Sequence, residues 1–279
     1  MKPTVFACIG LLSACAAETV EPRVMPSADG GFITLPDSGT GVACRPNLDG
    51  VIARGEVVFA PGVEVRYRTN PAGTAAPVDT RGADLGGGRR RWDFSSAAGE
   101  RVSLSLLRVE GAWFSGSFPG AQYAARLDPR LANLGVYRAT GNAVELLGVA
   151  GEQMRAGTLV RYESAVPVLR FPLRVGATWT AETRTNPEAT VENLPVASRD
   201  RYVVTVDGRG EVRTPAITFT DALRVRVEVT QTFPSGTGVR RIQYLWVTEC
   251  YGEVARVTST DGEVNPDFTM AAEYRRLDL

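Results

Sequence analysis

This sequence predicts a mainly β protein, built of antiparallel strands with few or no long helices. Short runs rich in Val, Thr, Tyr and Phe are bounded by Gly, Pro, Asn and Asp, which is strand-and-turn punctuation. Alternation is sharp in Arg224-Val225-Arg226-Val227-Glu228-Val229 and again in Tyr202-Val203-Val204-Thr205-Val206-Asp207. That two-residue period places charge on one face and valine on the other, as in an antiparallel sheet wet on one side and packed on the other. Only residues 120–131 read as a short helix, and Pro129 limits it.

The chain opens with a segment that does not belong to this fold. Lys2 supplies a positive charge, Val5 to Leu12 form a short apolar run, and small Ser13 and Ala14 follow. That is the order of a secretory signal, with an apolar run far below the roughly 20 residues that cross a bilayer as a helix. Residues 15–43 carry Pro22, Pro26, Pro36 and the Gly30-Gly31 pair without sustained periodicity, and read as a flexible tether.

Residues 44–165 form a first β region. Its strands are expected at 57–67, 101–109, 135–138, 144–149 and 158–163, with a long loop or poorly ordered insert over the Pro-, Gly- and Asp-rich 69–88. A boundary at 165/166 is marked by Pro167 and Pro172, and residues 166–279 form a second antiparallel region. Strands there are expected at 238–248, 253–259 and 268–277 in addition to the two alternating runs. Asp207-Gly208, Ser235-Gly236-Thr237-Gly238 and Asp261-Gly262 supply turn chemistry. The tetrapeptide Arg-Thr-Asn-Pro occurs twice, at 68–71 and 184–187, each time where a strand ends.

Composition excludes several chemistries. There are 31 basic and 31 acidic residues, and the largest basic block is Arg89-Arg90-Arg91, so nothing marks a nucleic-acid partner. No histidine occurs, which removes Ser-His-Asp and Cys-His arrangements and histidine-based zinc sites. Lys2 is the only lysine, so Schiff-base chemistry is excluded beyond the leader. No cofactor and no catalytic residue is indicated.

The tetrapeptide Leu12-Ser13-Ala14-Cys15 resembles the lipobox of bacterial lipoproteins. The resemblance implies cleavage before Cys15, a diacylglyceryl group on its thiol and N-acylation, making membrane lipid a partner through Cys15. The competing reading is cleavage at an Ala-x-Ala-like site, for example after Ala17, which leaves no lipid. Ala16 in place of Asp implies the outer membrane rather than the inner. With Cys8 in the leader and Cys15 on lipid, Cys44 and Cys250 remain as one pair in an oxidising compartment. A bridge between them would close a loop of about 205 residues, worth around 5 kcal/mol by chain entropy; two buried free thiols are the alternative.

The C-terminal half holds Phe171-Pro172-Leu173-Arg174-Val175-Gly176-Ala177-Thr178-Trp179, then Thr214-Pro215-Ala216-Ile217-Thr218-Phe219, then Leu245-Trp246-Val247 leading to Gly252-Glu253-Val254. It resembles a family of uncharacterised exported bacterial proteins, similar in architecture to the lipoprotein localisation factors. The resemblance implies a curved antiparallel sheet or half-barrel wrapping an apolar cavity, and brings no catalytic residues.

Local motifs offer weaker alternatives. Asn47, Asp49, Gly50, Ile52 and Glu56 match positions 3, 5, 6, 8 and 12 of a calcium loop, but Arg45 stands at the first position. An Asx turn is the plainer account. Glu110 and Glu163 are candidates for paired acids, and Trp92, Phe94, Trp113, Phe114, Phe118 and Tyr123 for a ligand cleft. Two functions follow as expectations. One is a surface-tethered, non-enzymatic module binding an apolar ligand or supporting an envelope protein assembly. The other is a carboxylate-dependent hydrolase of envelope or extracellular polymer.

Overall fold

A computed structural model describes residues 44–278 and, before them, only the backbone of a two-residue strand, Arg23–Val24, paired in parallel with Ile217 and Thr218. Cys15, the leader and the rest of the 15–43 tether lie outside the described residues.

The fold is mainly β, with antiparallel sheets that do not close into a barrel. Its principal strands in the first part of the chain are β1 (Glu64–Thr69), β2 (Arg89–Asp93), β3 (Glu100–Ser105), β4 (Tyr123–Arg126), β5 (Asn133–Ala139) and β6 (Ala143–Gly151). They continue with β7 (Leu159–Arg170), β8 (Thr178–Arg184), β9 (Arg199–Arg213) and β10 (Ile217–Thr232). The last are β11 (Gly238–Thr248), β12 (Gly252–Ser259) and β13 (Met270–Leu277).

The large sheet runs β2-β9-β10-β11-β12-β13-β1-β3, with β8 also paired to β9. The small sheet runs β7-β6-β5-β4, extended by short strands at both edges. The large sheet draws strands from both sides of residue 165, and the 165/166 boundary falls inside β7.

Inward valines of both sheets form the core between them. Val144, Leu146 and Val166 of the small sheet meet Val204, Val206, Val225 and Val227 of the large one. This is the packed side that the alternating runs require. Behind the large sheet is a second core, where Trp246 meets Trp92 at 5.7 Å and Phe94 at 4.7 Å between ring centroids. The charged face is therefore only partly wet. The Arg224 guanidinium lies 4.6 Å from the Tyr244 ring centroid while bonding Asp207 at 2.7 Å.

Three local expectations are corrected. Asp207-Gly208 is not a hairpin turn: β9 runs through it with a bulge between Val206 and Gly208, and the reversal comes at residues 214–216. Asp207 is held in the strand by Arg224, and glycine is needed just beyond it because β2 pairs closely alongside, in parallel. A Cβ on Gly210 would lie 1.8 Å from the Arg90 carbonyl oxygen. Residues 120–131 form β4 and a turn rather than a helix, since Tyr123 to Arg126 pair with β5 and bury three successive side chains. The 69–88 insert is ordered: Ala76–Pro77 pairs with β13, Ala83–Gly86 pairs with β2, and Thr80 is buried.

The repeated tetrapeptide does the same work twice. Asn70 accepts from the Tyr274 amide at 2.8 Å and donates to the Ala272 carbonyl at 3.0 Å. Asn186 accepts from the Arg161 amide at 3.1 Å. In each case the asparagine satisfies backbone groups of a neighbouring strand where its own strand stops.

Candidate functional site: a cavity between two sheets

The sheets are joined on one side where β7 meets β8. There the Thr183 hydroxyl donates to the Ser164 carbonyl at 2.9 Å, and Trp179 Nε1 to the Pro167 carbonyl at 2.7 Å. On the other side the chain passes from β3 directly into the Leu107–Arg108 edge of the small sheet. Between these two seams the sheets stand apart around a cavity of about 1020 Å³. Ordinary interiors hold few voids larger than a water molecule, and this volume matches the upper range of ligand pockets, about 300–1,000 Å³.

Its wall is largely apolar. Val227, Val229 and Leu245 face it from the large sheet, Leu146 and Val160 from the small sheet, and Phe59 from the connecting segment 57–59. Of the aromatic group singled out in the sequence, only Tyr123 lines it, stacked between Phe59 at 6.2 Å and Tyr137 at 5.2 Å. Trp92 and Phe94 fill the core behind the large sheet, and Trp113, Phe114 and Phe118 cover the outer face of the small one.

Two polar stations interrupt this wall. At the first, Arg256 of β12 stands opposite Arg275 of β13, and Glu253 serves both, accepting from Arg256 Nε at 3.0 Å and Arg275 Nη2 at 2.6 Å. Burial would raise the Glu253 pKa, but Arg256 and Arg275 outweigh it and hold the carboxyl below its usual range. The Arg275 guanidinium lies 5.2 Å from the Tyr67 ring centroid, and Glu273 adds a contact at 3.5 Å. Gln243, Thr258 and Glu273 continue as a hydrogen-bonded row across three strands, at 3.0 and 3.1 Å. Two carboxylates therefore balance two guanidinium groups.

At the second station, Asp200 of β9 faces Tyr162 of β7. The Tyr162 hydroxyl donates to Asp200 Oδ2 at 3.3 Å and lies 3.2 Å from the Tyr202 hydroxyl. Asp200 is 3% exposed and its Oδ1 has no hydrogen-bond partner. Burial raises its pKa, opposed by the neutral polar side chains of Ser198, Tyr162 and Gln231 beside it. Among the described residues no cation pairs with it.

The remaining candidates lie elsewhere. Cys44 and Cys250 come together as a disulfide-forming pair with Cα atoms 5.4 Å apart, tying residue 44 to the end of β11. The neighbouring Glu249 accepts from the amides of Asn47 and Leu48, fixing the loop read for calcium. In that loop Asn47 Oδ1 accepts from the Asp49 amide at 2.9 Å, the Asx turn. Glu56 accepts from the Ala53 amide at 2.7 Å and the Asn47 side chain at 3.0 Å. Its carboxylate therefore caps the turn, and no acidic or thiol cluster suited to a metal occurs among the described residues. Glu110 and Glu163 are exposed and do not line the cavity.

Comparison with protein-family models, with curated proteins and with solved structures found no match to this chain.

Proposed function

We propose that this protein is an exported lipoprotein, anchored through acylated Cys15 to the outer membrane, whose folded part holds an apolar ligand without altering it chemically. The cavity carries this reading: two sheets kept apart by specific seams leave an apolar-walled space of about 1020 Å³ where packing would otherwise be dense. Residues 15–43 then serve as the tether between lipid and cavity. No helix among the described residues is long and apolar enough to cross a membrane.

The hydrolase reading requires two carboxylates about 5 to 9.5 Å apart. Around the cavity Glu253 is committed to Arg256 and Arg275, Glu273 beside it to Arg275, and Asp278 pairs with Arg68 and Arg101. Asp200 stands three strands from Glu253, roughly 14 Å along the sheet at about 4.8 Å per strand. The arrangement favours holding over hydrolysis.

Two measurements test the proposal. Titration with N-phenyl-1-naphthylamine is expected to show saturable uptake with a blue-shifted emission, and the absence of saturation would sink the binding role. Intact-mass analysis of membrane-fraction protein is expected to show an acylated chain beginning at Cys15. An unmodified chain beginning elsewhere would remove the anchor.

A further inference from the structure

The cavity wall carries information about the polar end of whatever fills it. Eight charged groups there are either exposed or already paired. Glu64 and Arg66 are exposed, Arg126 bonds Glu152, and Arg241 bonds Asp261. Arg256 and Arg275 share Glu253, and Asp278 holds Arg68 and Arg101. Asp200 is the exception: nearly fully buried, hydrogen-bonded at Oδ2 by a tyrosine, and bare at Oδ1.

The groups around it are uncharged. Thr183 of β8 stands beside it in register, Gln231 of β10 stands on the other side, and Tyr162 reaches it from the small sheet. The nearest cation by register on the same wall is Arg241, opposite Val229 and two strands away, and Asp261 holds it. An isolated buried carboxylate is costly unless something donates to it and matches its charge.

We propose that the ligand is an amphiphile with a primary or secondary amine head, its ammonium N–H donating to Asp200 Oδ1 beside the Tyr162 and Tyr202 hydroxyls, and its hydrocarbon along the valine wall. This rests on the apolar-ligand reading of the cavity. An anionic head is the poorer fit, because the unpartnered Arg275 Nη1 belongs to a guanidinium already balanced by Glu253 and Glu273. A quaternary ammonium matches the charge but offers Oδ1 no N–H.

Calorimetric titration of the purified protein with dodecylamine, dodecyltrimethylammonium, dodecanol and dodecanoate at neutral pH decides the matter. Dodecylamine is expected to bind tightest. In D200N its affinity is expected to fall about thirtyfold or more, as when one partner of a buried charge pair is lost, to the level of dodecanol, whose affinity stays unchanged. Equal affinities for amine and alcohol, or an amine affinity untouched by D200N, overturn the head-group assignment and leave the cavity reading standing. Preference for dodecanoate overturns it in favour of the Arg275 station. Failure of all four to bind overturns both readings. The ranking in the unmodified protein is sufficient by itself if D200N does not fold.

Discussion

The Tyr162 hydroxyl, carried by the small sheet, lies 3.3 Å from the Asp200 carboxylate of the large sheet. It is a polar contact made from one sheet to the other at the margin of an apolar space, and it only partly offsets what burial does to the acid. Because burial raises the Asp200 pKa above 3.8, the folded chain binds its proton more readily than the unfolded chain does. Stability therefore falls as pH rises from the unfolded value through the folded one, above which the cost is complete. D200N is expected to raise the melting temperature at pH 7, with the gain disappearing below about pH 4, where both states are protonated. Thermal scans across pH check this; a gain that persists unchanged in acid contradicts it.

Opposite behaviour is expected at the other polar station. Glu253→Gln leaves Arg256 and Arg275 without their shared carboxylate, and breaking a buried pair in this way costs about 3–5 kcal/mol. Urea unfolding is the measurement, and a loss under 1 kcal/mol would mean that the station is solvated like a surface pair.

Val229 faces the cavity from near the C-terminal end of β10. Val229→Trp is expected to lower uptake of N-phenyl-1-naphthylamine severalfold while leaving the melting temperature nearly unchanged, because the added ring enters space that no side chain occupies. A large drop in stability with undiminished uptake would show that the ring had entered packed core instead.

Replacing Cys44 and Cys250 by alanine is expected to cost about 2–5 kcal/mol, the range for losing a native bridge. Comparing urea midpoints of this variant and of the reduced protein with that of the oxidised protein tests it. Equal midpoints for the oxidised protein and the alanine variant would show that Glu249 and its turn hold this end of the chain unaided.

Gly210→Ala probes the contact between β9 and β2. The new methyl meets the Arg90 backbone, and relief requires β2 to move, at about 1–3 kcal/mol for an overpacked site.

Much of the large sheet was legible in the sequence. The strand expected at 238–248 has those bounds, and the alternating runs lie in β9 and β10 with valine inward. Asp207-Gly208 misled because turn chemistry and bulge chemistry use the same residues, and only the pairing of β2 alongside β9 distinguishes them. The helix at 120–131 failed for a similar reason: the pairing of Tyr123 to Arg126 with β5 overrides local preference. The cavity was illegible from periodicity, since an inward valine reads alike whether it touches a neighbour or an empty space. Asp200 did leave a trace. It occupies the buried phase of β9, in step with Tyr202, Val204 and Val206, and an acid in that phase of a valine strand is a signal that can be sought.

The order in which the large sheet can be completed follows from one pairing. β13 joins β1, with Leu277 opposite Tyr67 and Arg275 opposite Thr69, so one edge is sealed by segments from nearly opposite ends of the described chain. Contacts so distant in sequence are slow to form. During synthesis β1 and β3 have no partner but each other until β13 emerges. That side of the sheet is thereby kept open until β13 arrives, and deleting β13 is a topological injury rather than a loss of one edge.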